Sequence, residues 1–321
     1  VYVLVAGLVL FVFGWAPYWL GSRATYGRFH FPDKENAGLT PASFDLGFEE
    51  LRFNSADGVP LSGWWVPVDH AKGSAVLIHG VNRSRIEMVK KLPFLHSHGW
   101  NALLFDLRNH GESGGSATTF GALEKGDAEA AVAVVRERSD VPVILWGVSL
   151  GAATAMLAAA EDPIVAGVVC DSSYRSLSDT VRHHLQLFRS FRWWLRIVPS
   201  WPVADEVLFW MGRKGGYDTD AVDIEAAARH LAGRPVLFVA NTGDRRMPKE
   251  IAFDLEAAVG DTARVLVVPS ESHGGAYRDG TPQYERAVAE LLQAVAAPAT
   301  LSQVTSGAGG AASKGIKEHN P

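Results

Sequence analysis

A serine hydroxyl is a poor nucleophile until a base takes its proton. One serine in this chain stands where that chemistry is well served. It is Ser149, at the centre of Gly147-Val148-Ser149-Leu150-Gly151. The apolar run at 141–146 reads as a buried strand, and the Ala-rich segment from Ser149 to Ala160 reads as a helix. A strand that reverses into a helix crowds its own backbone, and glycine two places either side of the serine relieves the crowding. The hydroxyl then projects from a helix N-terminus, where free N–H groups favour negative charge. That suits attack on a carbonyl carbon.

The base has to reach the same turn. His183 and His184 are neighbours in a helical pattern and point apart, while His96 and His98 close another helix. His30, His70, His230 and His319 fall in linker, loop or tail; His79 and His110 sit in glycine-containing turns and read as structural. His273 lies in a polar, Gly-flanked loop after the last apolar strand and is the predicted base. Two carboxylates could orient it. Asp244 follows the penultimate strand, just before a helix starts near Pro248, and is the first choice; Asp171, at the end of a neighbouring strand, is the runner-up.

These residues need a scaffold that brings strand ends together. The 321 residues are 47% hydrophobic, enough for one large core with appendages. Strand patterns at 48–54 and 61–66 flank the turn Ser55-Ala56-Asp57-Gly58 and read as an antiparallel hairpin. Further strands are predicted at 74–78, 101–105, 141–146, 164–169, 235–239 and 264–268, with helices at 86–98, 120–138, 149–160, 248–259 and 282–296. Such alternation predicts an α/β fold: a mostly parallel sheet with helices on both faces, and reactive residues at the carboxyl ends of its strands.

The net charge of −5 supplies no basic field, so nucleic acid is not the expected partner. Cys170 is the single cysteine, which excludes an intrachain disulfide; it ends an apolar run and is expected to be a buried structural thiol. Val1 to Leu20 carries no charge, and Trp15, Tyr18 and Trp19 gather at its C-terminal end. That pattern predicts a single-pass membrane anchor over 1–22, with a signal peptide, left uncleaved, or a buried helix as the alternatives. Arg23, Arg28 and Lys34 follow it, a bias toward a cytoplasmic C-terminal side. Residues 23–46 read as a linker, 47–297 as the main domain and 298–321 as a disordered Ala/Gly/Ser-rich tail. Within the domain, 176–217 lacks a strand pattern. Phe188, Phe191, Trp193, Trp194, Trp201, Phe209 and Trp210 are interleaved there with Arg182, Arg189, Arg192 and Arg196. It is expected to be a helical cap over the active edge, its aromatics packing on the core, touching substrate or resting on lipid.

The chain resembles an α/β-hydrolase over roughly Phe48 to Ala296, through the Gly147–Gly151 elbow and the order Ser149, Asp244, His273. His79-Gly80 resembles the family's oxyanion turn, and Asp106-Leu107-Arg108-Asn109-His110-Gly111-Glu112-Ser113 its Asp-x-Arg-x-His-Gly-x-Ser stretch, with Asn109 where many relatives place glycine. The hairpin Asp57 to Trp64 further resembles the membrane-anchored acylprotein-thioesterase-like and serine-aminopeptidase-like branches. The resemblance implies a serine hydrolase: Ser149 attacks, His273 held by Asp244 relays the proton, and the backbone N–H groups of Val81 and Leu150 hold the oxyanion. It implies no metal and no organic cofactor. Asp106, Arg108 and His110 are expected to brace their loop. The expected substrate is a small or lipid-like ester or thioester with an apolar acyl group. An aminopeptidase, which would need carboxylates such as Asp179, Asp205, Glu206, Asp218 or Asp220, is the alternative enzyme. A membrane-tethered binding protein without turnover is the alternative of another class.

Overall fold

The apolar strands require cover on both faces, and the helices between them supply it. In a computed structural model, residues 2–27, 36–191 and 200–297 are described. Arg28, His30, Lys34, Arg192, Trp193, Trp194, Arg196, His319 and the tail at 298–321 lie outside the described residues.

The chain opens with α1 (Tyr2–Leu10), a π-helical turn (Phe11–Trp15) and α2 (Ala16–Tyr26). A hairpin follows, β1 (Glu49–Asn54) and β2 (Pro60–Val66), and then β3 (Gly73–Ile78), α3 (Leu92–Ser97), β4 (Trp100–Asp106) and α4 (Glu124–Arg138). The middle of the chain holds β5 (Val143–Val148), α5 (Leu150–Glu161) and β6 (Val165–Asp171), and then α6 (Leu177–Phe191), α7 (Ser200–Gly215) and α8 (Ile224–Arg229). It ends with β7 (Val236–Asn241), α9 (Glu250–Val259), β8 (Ala263–Val268), α10 (Ala276–Asp279) and α11 (Thr281–Ala296).

The eight strands form one sheet in the order β1-β2-β4-β3-β5-β6-β7-β8. β1 and β2 run antiparallel, β2 meets β4 antiparallel, and every other pair is parallel. β3, β4, β5 and β7 are buried along their whole length, as a parallel sheet covered on both faces demands. Two apolar layers result. Side chains of α3 and α11 pack on one face, and those of α4, α5, α8 and α9 on the other. The register pairs Ile78 with Gly147 and Val148 with Asp171, so the carboxyl ends of β3, β5 and β6 align along one edge.

The helix predicted at 86–98 is divided. A 3-10 run (Arg85–Lys91) precedes α3, which starts at Leu92 with Pro93 in its first turn, where a missing N–H costs nothing. Cys170 is buried, and burial pushes its thiol up to about 12. The folded protein is therefore expected to resist an aromatic disulfide reagent at pH 8 and to react with one equivalent after denaturation in guanidinium.

The membrane anchor predicted over 1–22 is overturned, and with it the single-pass localisation. Among the described residues no helix is long and apolar enough to cross a membrane. The apolar run is divided by the π-helical turn into segments of 9 and 11 residues, and α2 turns polar with Ser22, Arg23 and Thr25. α2 also has a protein neighbour. Its Pro17, Gly21 and Thr25 are buried, one turn apart on a single face. A Cβ on Gly21 would lie 2.8 Å from Trp210 Cβ and 2.9 Å from the Val207 carbonyl oxygen, so glycine allows α2 to approach α7. Tyr18 meets the Trp210 ring edge-on, Lys214 Nζ donates to Tyr18 Oη at 3.0 Å, and Tyr26 Oη donates to the Lys214 carbonyl at 2.7 Å. Two of the aromatics expected at a lipid interface, Trp15 and Trp19, stack on each other at 6.1 Å.

Candidate active site

Ser149 sits between β5 and α5 with φ 54° and ψ −114°, a backbone conformation that a side chain rarely adopts. Its surroundings hold it there. Its N–H donates to the Asp171 carbonyl at 2.8 Å, and its own carbonyl accepts from Ala153 N–H at 3.1 Å. A Cβ on Gly147 would lie 2.1 Å from the Gly151 carbonyl oxygen, and one on Gly151 would lie 2.2 Å from the Ile78 carbonyl oxygen. The spacing predicted from the motif therefore has a steric cause: both flanking positions press on backbone. Gly151→Ala is expected to destabilise the fold by about 3 kcal/mol, read as a lower urea midpoint with an unchanged m value.

His273, in the loop after β8, places Nε2 2.8 Å from Ser149 Oγ and Nδ1 2.6 Å from Asp244 Oδ2. With Nδ1–H donating to the carboxylate, Nε2 is left to accept the serine proton. Asp244 follows β7, and its side chain is 1% exposed. Burial pushes this carboxyl upward. The hydrogen bond and charge of His273, with the N–H groups of Met247 and Arg246, outweigh it and leave the group below the ordinary carboxylate range. Those N–H groups donate to Oδ1 at 3.1 and 2.9 Å, which leaves Oδ2 free to face the imidazole.

The runner-up, Asp171, is engaged elsewhere. Its Oδ1 accepts from Ser172 Oγ at 2.8 Å and its Oδ2 from Tyr284 Oη at 3.0 Å. Tyr284 in turn accepts from Trp146 Nε1 at 3.0 Å. Burial raises the Asp171 carboxyl, and the nearby Lys91, itself buried and lowered by desolvation, only partly offsets that. Lys91 Nζ lies 4.6 Å from the centre of the Tyr277 ring. Asp171 thus belongs to a packed polar cluster beneath the serine turn.

On the other side of Ser149 the turn after β3 is set by its neighbours. Gly80 N–H donates to Glu87 Oε2 at 2.7 Å, and Asn82 N–H donates to His110 Nε2 at 3.1 Å. The N–H of Val81, between them, has no such bond among the described residues. Leu150 opens α5, so its N–H has no carbonyl one turn back within the helix. Val81 and Leu150 both line the cavity that contains Ser149. His79 Nδ1–H donates to the Gly80 carbonyl at 2.7 Å and Nε2 accepts from Leu107 N–H at 3.0 Å. Burial and the neighbouring His110 push His79 down to about 3, so this ring is a neutral strut.

The 106–113 stretch braces that turn. Asp106 accepts from Arg85 N–H at 2.7 Å, from the Arg85 guanidinium at 2.5 Å and from Glu112 N–H at 2.9 Å. Arg108 reaches Asp127 at 2.7 Å and Asp57 at 2.7 Å, tying the β1–β2 turn to α4. Asn109 adopts φ 60°, the left-handed region where asparagine is the best substitute for glycine. Its Nδ2 donates to Thr118 Oγ1 at 3.1 Å.

The serine turn opens into a cavity of about 680 Å³. Its lining is mainly apolar; α6 is a major contributor, and the rest comes from α2, α7 and the loops at the strand ends. Of the cap aromatics predicted at 188–210, Phe188 is the one that lines it among the described residues. Phe191, Trp201 and Phe209 are exposed, and Trp210 packs on Tyr18. Three of the cavity's contributors escaped the sequence reading. Glu87 lies in a segment read only as helix. Leu20 and Ala24 belong to α2, where the buried spacing Pro17, Gly21, Thr25 is the signal that this helix meets protein.

The fold and the strained serine turn define an α/β-hydrolase. The sequence matches the Alpha/beta hydrolase family over residues 75–309, and the chain belongs to that family. YqkD of Bacillus subtilis is 25% identical over 242 residues, covering 74% of this chain and 77% of that protein. YfhR of Escherichia coli K12 is 24% identical over 300 residues, covering 89% and 94%. Among solved structures, the esterase Pf2001 of Pyrococcus furiosus superposes with TM-score 0.65 at 21% identity, covering 80% of this chain and 96% of that one.

Proposed function

We propose that the protein is a serine hydrolase of esters or thioesters with an apolar acyl group. The observation that carries this reading is the continuous row of Ser149, His273 and Asp244, at 2.8 and 2.6 Å, opening into a largely apolar cavity. Ser149 Oγ attacks the acyl carbon while His273 Nε2 takes its proton. The oxyanion of the tetrahedral intermediate falls to the N–H groups of Val81 and Leu150. Collapse expels the alcohol or thiol, which leaves with the proton from His273, and water then repeats the sequence in reverse on the acyl-enzyme. Asp244 holds the imidazole in the reactive tautomer throughout. In this reading α6 and α7, within 176–217, are the cap over the site.

The aminopeptidase alternative requires a free carboxylate in the cavity. Asp179 pairs with Arg175 and Asp205 with Arg182, and neither lines the cavity; nor do Glu206, Asp218 and Asp220. Glu87 does line it, and its Oε2 is already bound to Gly80 N–H. The site is therefore poorly arranged to bind a substrate's cationic amino terminus, and Arg83 and Arg246 also line it.

A panel of p-nitrophenyl esters, acyl thioesters and aminoacyl amides tests the reading. Turnover of the esters or thioesters, with covalent labelling by a fluorophosphonate, is the expected result. Turnover of the amides alone would replace it with the peptidase reading, and no labelling of the wild type would replace it with a binding protein.

A further inference from the structure

We infer that α2 is a wall of the acyl-chain site, with Leu20 and Ala24 setting the length of acyl group that the enzyme accepts. This rests on the hydrolase reading above and specifies the substrate side of the same site.

Leu20 and Ala24 lie one helical turn apart on one face of α2, and both line the cavity that contains Ser149 and His273. The adjacent face carries Pro17, Gly21 and Thr25 against α7, so α2 cannot rotate without driving its backbone into Trp210. Its C-terminal end is pinned separately. The Thr25 carbonyl accepts from Thr118 N–H at 2.8 Å, and the loop that follows brings Phe120 to the same cavity. α2 is thus held from two sides while it presents two aliphatic side chains to the reaction site.

The helices that share this cavity face it mainly with aliphatic side chains, with Thr180 and His184 of α6 as the polar exceptions. Leu177, Val181 and Leu185 come from α6, and Val207 and Met211 from α7. Most of the charged and amide lining comes instead from the turn and 3-10 run after β3, as Asn82, Arg83 and Glu87, with Arg246 added from the loop after β7. A substrate matching this division has a methylene chain against the helices and its reacting carbonyl at Ser149. About 680 Å³ is far more than an acetyl group fills, so helix side chains rather than the serine turn must limit chain length. Ala24 is the sensitive position because any larger side chain there grows into the cavity from a helix that cannot retreat.

The experiment is an acyl-length profile with p-nitrophenyl acetate, butyrate, octanoate and decanoate. Ala24→Phe is expected to lower kcat/KM for octanoate and decanoate about tenfold or more, with acetate changed by less than about threefold. Leu20→Ala is expected to move the optimum toward the longer chains. Trp19→Ala, on the exposed side of α2, should leave the profile unchanged. A folded Ala24→Phe with equal changes at every length overturns the inference, as does an unchanged profile in Leu20→Ala or an equal shift from Trp19→Ala. If Ala24→Phe does not fold, Leu20→Ala decides. A wild type that turns over no ester or thioester of any length would overturn the hydrolase reading itself. Ester turnover with a profile indifferent to α2 overturns this inference alone.

Discussion

Ser149→Ala is expected to lower kcat for p-nitrophenyl butyrate by about 10⁵-fold or more and to abolish fluorophosphonate labelling. The size of the loss follows from the arrangement. Without Oγ, the proton acceptor His273 Nε2 has nothing to activate except water, and the covalent route is closed. The oxyanion donors and the cavity remain, so a small rate above the uncatalysed reaction should persist. KM should change by less than about threefold, because the serine hydroxyl contributes little to holding the acyl group. Stability should change by no more than about 1 kcal/mol, since alanine keeps the Cβ that is strained at φ 54° and gives up only the hydrogen bond to His273. A residual rate within tenfold of wild type would remove Ser149 from the chemistry.

The second large effect separates the two carboxylates. Asp244→Asn is expected to cost about 10³- to 10⁴-fold in kcat, because an amide donates toward Nδ1 and turns the imidazole to the wrong tautomer. Asp171→Asn is expected to keep kcat within about tenfold. That carboxylate accepts from Ser172 and Tyr284, and an amide NH₂ would meet one of those donors, so stability should fall by about 1–3 kcal/mol instead. The pH dependence gives a second reading for Asp244. Its carboxyl is lowered in the folded state, so the stability it contributes is complete above its unfolded value, about 3.9, and is lost as pH falls through the lower folded value. The difference in urea midpoint between wild type and Asp244→Asn should therefore be largest near pH 7 and shrink below about pH 4. A larger loss of kcat in Asp171→Asn than in Asp244→Asn would reverse the assignment.

Much of this site was legible because its requirements are local. Gly147 and Gly151 are needed by a turn whose crowding lies within five residues of chain and one neighbouring strand, so the motif and its steric cause coincide. The apolar strands and the helices between them predict a parallel sheet, and a parallel sheet puts its strand ends on one edge. The eight strands lie where the patterning placed them, within a few residues. Which carboxylate faces His273 is a different kind of question. Asp171 and Asp244 both end strands beside the serine turn. The choice depends on Tyr284, more than a hundred residues from Asp171, and on two N–H groups that orient Asp244.

The N-terminal stretch shows the limit most plainly. Hydropathy records that a segment avoids water and is silent about what replaces the water. Val1 to Leu20 carries no charge, which reads as a lipid-facing run, yet from Ala16 onward the same stretch is a helix that lies against α7. The π-helical turn that divides the run, and the approach of Gly21 to Trp210, are products of three-dimensional packing. The sequence by itself determined the α/β class and the serine turn, together with a histidine and two possible acids on one sheet edge, because strand and helix periodicities and glycine sterics act over short distances. Only the tertiary structure decided that Asp244 meets His273, that the Val81 N–H has no backbone or side-chain acceptor among the described residues, and that α2 borders the cavity. Each of those depends on which distant side chain occupies the neighbouring space.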